Sequence, residues 1–151
     1  MSSSKLKSMQ VIHTAFCLAI AGFAIVAISL LKDRLHFTLQ VDKGDPYFPL
    51  FPILAPVFIL SGFFLFKRQV AAIDPAATGE DKVAAYQTAF LIRCACIETI
   101  ALLNTIALLL SGNMAYAIVV AVVLIVFIAT RPTKDHVIET TSLQYPDTEK
   151  L

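Results

Sequence analysis

The sequence is poor in charge and contains no tryptophan. Charged residues make up 15% of its 151 positions, whereas soluble domains carry about 25%. Hydrophobic residues make up 58% of the chain, and they are gathered into long runs rather than spread evenly. Since such runs are long enough to cross a lipid bilayer, the sequence predicts a single membrane domain over residues 1–151.

The chain also lacks the residue clusters typical of metal, disulfide and catalytic sites. Its three cysteines, Cys17, Cys94 and Cys96, all fall within apolar runs, and an odd number without a CxxC pair does not suit a disulfide framework. We interpret them as small buried side chains and predict neither a metal nor a cofactor. No nucleophile–base set or phosphate-binding loop occurs. The net charge of +1 without a long basic patch argues against nucleic acid as a partner.

Four apolar runs predict transmembrane helices. The predicted fold is all-α, a transmembrane four-helix bundle in up-down-up-down order, and the polar residues 131–151 form a cytoplasmic tail that is either interfacial or disordered. The first run is longer than the apolar part of a signal peptide, so we expect it to stay in the protein. The predicted helices lie at about residues 11–31, 48–66, 86–110 and 114–130.

The second apolar run is rich in proline. Pro52 falls near the start of the predicted helix, where a missing N–H is harmless. Pro56 lies deeper and removes a backbone hydrogen bond, so the sequence predicts a kink between these two residues. We therefore name Pro52 and Pro56 as a candidate hinge.

The first connection combines polar residues with an alternating segment. We expect Asp33, Asp42 and Asp45 to lie in a solvated loop, because their spacing is not that of a calcium-binding loop. The alternation of apolar and polar residues over positions 35–41 favours a short extended segment, and a continuation of the first helix fits equally well.

The distribution of basic residues predicts the orientation of the chain. With the N-terminus inside, the basic residues of the outer loops are Lys32, Arg34 and Lys43. The positive-inside rule then places both chain ends in the cytoplasm. The basic residues on the inner side are Lys5, Lys7, Lys67, Arg68, Lys82, Arg131, Lys134 and Lys150.

The third run carries polar residues that are costly in hydrocarbon, and these form the candidate intramembrane site. At 100° per residue, Tyr86, Arg93 and Asn104 fall on one stripe, and Gln87 and Glu98 on another. Arg93 and Glu98 are five residues apart and point away from each other by roughly 140°, so they do not form an i,i+4 ion pair. Each of the two must find a partner elsewhere.

The expected depth of each polar residue decides its expected partner. Arg93 lies near the cytoplasmic edge, where its long side chain reaches lipid headgroups or phosphates. Asn104 lies near mid-bilayer, where we expect a hydrogen bond to another helix. Glu98 lies too deep for its short side chain to reach water. It either holds the bundle together through an interhelical bond or ion pair, or binds a proton or substrate.

One pattern resembles a known group of proteins. The residues Tyr86-Gln87-Thr88-Ala89, Ile92-Arg93-Cys94-Ala95 and Glu98, followed by Arg131-Pro132-Thr133 after the last run, resemble small four-span bacterial integral membrane proteins to which no activity is attached. The resemblance covers mainly residues 82–133 and implies a membrane fold in a bacterial inner membrane. Four-helix glutathione-dependent membrane enzymes are echoed only by Arg93 and Glu98, so their activity is not carried over.

Three functions remain open on the sequence alone. The first is a non-enzymatic accessory or structural subunit of a homo-oligomer or of a larger membrane complex. The second is a small proton-coupled transporter or channel-like protein that uses the carboxylate of Glu98. The third is a membrane-embedded lipid or glutathione-type enzyme, which the lack of a catalytic residue set disfavours.

Overall fold

The computed structural model of the chain describes residues 2–41, 45–145 and 147–150, and it confirms the all-α prediction. Within those residues, the only β structure is an isolated parallel bridge between His36 and Asn113. The helices are α1 (Ser2–Leu30), α2 (Leu50–Ala71), α3 (Gly79–Ser111), α4 (Met114–Ala129) and α5 (Lys134–Thr141), followed by a short 3-10 helix (Asp147–Lys150).

Helix α3 is the centre of the bundle. It packs against α1, α2, α4 and α5, and its buried residues recur every three or four positions over its whole length. The helix begins after Thr78, whose side chain accepts a hydrogen bond from the Asp81 amide, as an N-cap residue does. It ends at Gly112, whose φ of 76° is the left-handed conformation expected of a C-terminal cap.

The length and composition of the helices fit a membrane protein. Three helices, α1 from Lys5 onward, α2 and α3, are long and apolar enough to cross a membrane, and a fourth span results if α4 and α5 are counted together across a 72° bend. Large apolar side chains cover the outside, including Leu18, Leu60 and Ile125, each more than two-thirds exposed. A soluble monomer rarely exposes so much contiguous apolar surface.

The two ends of the bundle differ in the number of their basic residues. We call one of them the basic end; it contains the start of α1, the end of α2, the start of α3 and the end of α4. Contacts across this end include the ion pair between Lys5 and Glu80 at 3.9 Å and the hydrogen bond from Gln10 Nε2 to the Pro132 carbonyl at 3.0 Å. The opposite end, which we call the turn end, holds the first loop and the α3–α4 turn.

Helix α2 runs through both of its prolines. Pro52 lies in the first turn of the helix, and Pro56 lies inside it without interrupting the helical segment. The predicted start of this span at Phe48 is two residues too early, because the chain becomes helical at Leu50. The kink and the hinge remain predictions.

The first loop is extended and packs on the α3–α4 turn. The backbone of His36 donates to the Gly112 carbonyl at 3.0 Å and accepts from the Met114 amide at 2.8 Å. The side chain of Asn113 adds two hydrogen bonds to the backbone of Thr38, at 3.1 and 3.3 Å. Continuation of α1 into this loop, one of the two alternatives, is therefore wrong, since α1 ends at Leu30.

One aspartate of this loop is buried rather than solvated. The side chain of Asp45 is 7% exposed, and its Oδ1 accepts a hydrogen bond of 2.8 Å from the hydroxyl of Tyr116 in α4. The expectation of a fully solvated loop is wrong at this position, because a partner from α4 offsets the cost of burying the carboxylate. Asp33 is exposed, as expected, and Asp42 lies outside the described residues.

The tail after α4 is folded as far as the structure describes it. Helix α5 begins after Thr133, whose side chain accepts a hydrogen bond from the His136 amide at 3.3 Å. Val137 of this helix is completely buried, and Leu143 beyond it is 8% exposed. A disordered tail, one of the two alternatives, is therefore wrong for α5, because apolar residues among the polar ones give the segment a face that packs on α3.

Candidate functional site

Arg93 lies inside the protein at the basic end. Arg93 is 4% exposed. Its Nη2 donates a hydrogen bond of 3.0 Å to the carbonyl oxygen of Thr130, the C-cap residue of α4. The guanidinium lies over the ring of Phe66 at 4.3 Å, a cation–π distance. Residues of α2, α3 and the end of α4 surround the side chain of Arg93, and the contact with lipid headgroups expected from the sequence stays a prediction.

Several donors of this guanidinium are unused. The Nε atom is buried and has no hydrogen-bond partner, and Nη2 makes the only hydrogen bond that the described residues offer. A guanidinium has five N–H donors and cannot lose its charge in a protein. Arg93 therefore carries a full positive charge with most of its hydrogen-bonding capacity unspent.

A cavity of about 430 Å³ lies beside Arg93, between the ends of α2 and α4 and the start of α5. Phe63 and Phe66 of α2 form its apolar side. Lys67, Arg131 and His136 stand on its polar side, and all three side chains are exposed. The cavity is thus apolar on one side and basic on the other, and among the described residues no carboxylate lines it.

Tyr86 lies two turns before Arg93 on the same face of α3. Its side chain is completely buried, and its hydroxyl has no hydrogen-bond partner among the described residues. Its ring meets Phe66 edge-on at 5.5 Å and His136 at 6.1 Å. Tyr86 therefore forms one aromatic cluster with two residues that also line the cavity.

Gln87 and Glu98, the other stripe, lie at the edge of the buried face of α3. Both side chains are partly exposed, and neither forms a hydrogen bond or an ion pair with the described residues. Glu98 follows Arg93 by five residues, which is about 7.5 Å further along the helix. A carboxylate in a membrane is costly unless it is protonated, hydrated or paired, and the described part of the chain supplies no hydrogen-bond or ion-pair partner for Glu98.

Asn104 is fully buried between α3 and α2. Its Nδ2 donates to the Ile100 carbonyl of its own helix at 2.9 Å and, at 3.4 Å, to the Phe51 carbonyl of α2. The expected hydrogen bond between helices is confirmed, though its length makes it the weaker of the two. The Oδ1 atom of Asn104 has no hydrogen-bond partner among the described residues.

The five candidate residues do not form one site. Arg93 and Tyr86 share the cluster around Phe66, whereas Asn104 lies eleven residues beyond Arg93, about 16 Å along the helix. Gln87 and Glu98 are separated by the same number of residues on the other stripe. Of the five candidate residues, Arg93 is the one that lines the cavity formed with residues from α2 and α5 in the described part of the chain.

The charged residues that line the cavity with Arg93 were not predicted from the sequence as part of a site. Lys67 entered as a charge that sets orientation, Arg131 entered in that way and as part of the Arg131-Pro132-Thr133 pattern, and His136 was assigned to the polar tail. What these three residues share in the sequence is their position, since each lies within a few residues of a helix end that is located at the basic end of the bundle. The fold of α5, which brings His136 back over Phe66 at 6.3 Å between ring centres, has no comparable signal in the sequence.

The fold and its apolar exterior define a helical integral membrane protein. Comparison with protein-family models, with curated proteins and with solved structures finds no match for this chain. The resemblance to small four-span bacterial proteins therefore stays a prediction.

Proposed function

We propose that this chain is a four-span protein of a bacterial cytoplasmic membrane, with both ends in the cytoplasm, that acts as a non-enzymatic accessory or structural subunit of a membrane complex. Helix α4 supports the fourth span, because its 16 residues contain no charge and its Val120, Val123 and Phe127 pack into the bundle. At 1.5 Å per residue it is about 24 Å long, so it needs a locally thin bilayer or its flanking residues to complete the crossing.

The partly exposed and unpartnered carboxylate of Glu98 is the observation that carries this proposal. An acid at this depth is costly unless it is protonated, hydrated or paired. Some buried polar groups of the bundle bond to neighbouring helices, as Arg93 does with the Thr130 carbonyl and His13 with the Phe127 carbonyl, although others, such as the Tyr86 hydroxyl, have no hydrogen-bond partner among the described residues. Glu98 lies at the edge of the packed face instead, where a helix from another protein reaches it.

The partner that best fits is a transmembrane helix of a different protein that carries a hydrogen-bond donor or a cation. A symmetric pair of identical chains places the same patch of each copy against the other. Two carboxylates would then face each other, which disfavours their charged forms. A second copy at this surface is therefore the less suitable occupant.

A crosslinking experiment tests this assignment. A photoreactive amino acid replaces Thr99 or Ile106, which are exposed on α3 near Glu98, and in control proteins it replaces Ile118 of α4 or Leu60 of α2. We expect one membrane protein to be crosslinked from α3 and not from the controls, and we expect Glu98→Gln to weaken that product. Crosslinks to a second copy alone, or products that ignore Glu98→Gln, would contradict the proposal.

The transporter alternative uses the same carboxylate and needs its own measurement. Purified protein in liposomes that contain a pH-sensitive dye reports proton flux after a potassium diffusion potential is applied. A subunit gives no flux above that of empty liposomes, with or without Glu98→Gln. A flux that the wild-type protein supports and Glu98→Gln abolishes, while the variant remains folded, would replace the subunit assignment by a proton-coupled carrier.

A further inference from the structure

We infer that the cavity beside Arg93 is a binding site for a phosphate group, and that an anionic membrane phospholipid is the source that fits it best. This cavity lies apart from Glu98, and a phosphate site there does not depend on the proposed subunit function. Lys67, Arg93 and Arg131, from three different segments, line one cavity that contains no acidic residue.

No acidic residue neutralises these three cations in the described part of the chain. The one ion pair found there joins Lys5 to Glu80. Asp135 is next to His136 in sequence, but its side chain is exposed and forms no ion pair. Like charges that line one cavity repel one another, and an anion relieves this repulsion, so the cavity favours an anionic ligand.

The state of Arg93 indicates where the ligand binds. Arg93 is 4% exposed, donates to one carbonyl oxygen and lies over one aromatic ring. Its guanidinium has therefore lost most of its hydration, and the described residues provide no counter-ion. Its Nε is buried and has no hydrogen-bond partner among the described residues. Because a planar guanidinium matches the geometry of phosphate oxygens, a phosphate in the cavity would supply the counter-charge and accept from those guanidinium N–H groups that face it.

The shape and position of the cavity favour a lipid as the source of the phosphate. Its volume of about 430 Å³ lies within the range of roughly 300–1,000 Å³ for small-molecule sites. Phe63 continues it toward the apolar outer surface of α2, where Leu60 and Phe64 are about two-thirds exposed. Acyl chains can follow this surface while the headgroup stays at the basic end, as in basic headgroup pockets between membrane helices.

A titration of purified protein in zwitterionic detergent tests the inference. The melting temperature is followed as phosphatidylglycerol, phosphatidylcholine or inorganic phosphate is added. We expect phosphatidylglycerol to stabilise the protein in a saturable way and phosphatidylcholine to do so much less. A ligand that binds only the folded state raises the melting temperature according to its affinity.

Paired variants of neighbouring basic residues separate a site from general surface charge. Lys67→Gln and Arg131→Gln remove cations that line the cavity, and Arg68→Gln removes an adjacent exposed cation that does not. Loss of one charge-assisted contact should weaken the affinity by about tenfold in each of the first two variants and leave it unchanged in the third. Arg93 itself is a less suitable target, because its bond to Thr130 also holds α4.

Each outcome of the titration bears on the inference. Stabilisation by phosphatidylglycerol that falls in the Lys67 and Arg131 variants, and persists in Arg68→Gln, supports a phosphate site occupied by lipid. The same variant pattern with inorganic phosphate alone supports the phosphate site and assigns it to a soluble ligand. No stabilisation by either ligand, or an equal loss in Arg68→Gln, would overturn the inference.

Discussion

The imidazole of His13 in α1 is bound to Phe127 in α4 in two ways. Its Nε2 lies 2.8 Å from the Phe127 carbonyl, and its ring stacks on the Phe127 ring with a centroid distance of 4.9 Å. Because a carbonyl can only accept, Nε2 carries the proton in this contact. Nδ1 lies 3.8 Å from the sulfur of Cys17 on the next turn of α1. The first and fourth helices are thus joined near the basic end by a buried side chain.

Replacing His13 by phenylalanine should lower stability moderately. The substitution keeps an aromatic ring for stacking and removes the hydrogen bond to α4. Interhelical hydrogen bonds in membrane proteins contribute about 0.6 kcal/mol on average and up to about 1.7 kcal/mol. Unfolding in mixed micelles measures the difference, with Thr14→Ala as the control, because the exposed Thr14 bonds only to Gln10 of its own helix. Equal losses in the two variants would contradict a joining role for His13.

The bond between Tyr116 and Asp45 should matter more than the bond made by His13. Tyr116→Phe removes a donor from a buried carboxylate, whose other hydrogen bond among the described residues comes from the Tyr47 amide at 3.3 Å. Hydrogen bonds to charged groups contribute about 1.5–3 kcal/mol. We expect a loss of that order in the same unfolding assay, and the packing of the first loop on α4 should weaken with it.

Two further variants make the Tyr116 prediction specific. Tyr47→Phe removes a nearby hydroxyl that has no hydrogen bond in the described structure, so its effect should be close to zero. Asp45→Asn keeps an acceptor for Tyr116 without the charge, so it should be less harmful than Tyr116→Phe. If Tyr47→Phe destabilises as much as Tyr116→Phe, the bond to Asp45 is not the cause.

Local composition predicted those parts of the fold that depend on local chemistry. Runs of apolar residues predicted where the helices lie, but α1 and α3 begin at Ser2 and Gly79, well before the predicted starts at about residues 11 and 86, because the polar residues that precede each run are helical too. The burial of Asp45 could not be predicted, because it depends on Tyr116, which is 71 residues away in sequence. The cavity beside Arg93 was missed for the same reason, since its cations come from separate segments that only the packed bundle brings together.

The docking of α5 provides a third prediction. Val137 is completely buried in contact with the main core, whereas Glu139 of the same helix is exposed. Val137→Ser should release α5 and raise the hydrogen exchange of its amides, by about tenfold for each 1.4 kcal/mol lost locally. Glu139→Ser should leave exchange in α5 unchanged. Unaltered exchange in Val137→Ser would mean that α5 is held by its connections rather than by its apolar contact.

Two glycines in membrane-spanning helices form a matched pair for the final prediction. A side-chain carbon added at Gly62 of α2 would lie 3.1 Å from Cβ of Cys96 and 3.3 Å from the carbonyl oxygen of Arg93, whereas one added at Gly22 of α1 would meet nothing within 4 Å. Gly62 therefore lies where α2 packs closely against α3, as small residues allow in membrane bundles, whereas Gly22 lies beside open space.

Valine at Gly62 should push α2 away from α3, and overpacking of this kind costs about 1–3 kcal/mol. Gly22→Val gains the same side chain on an open surface, so it should cost much less in the same unfolding assay. The displaced helix also carries Phe66 and Lys67, which line the cavity beside Arg93. Gly62→Val should thus weaken stabilisation by phosphatidylglycerol as well, and Gly22→Val should not. If the two valine variants behave alike in both measurements, close packing of α2 on α3 does not position the cavity.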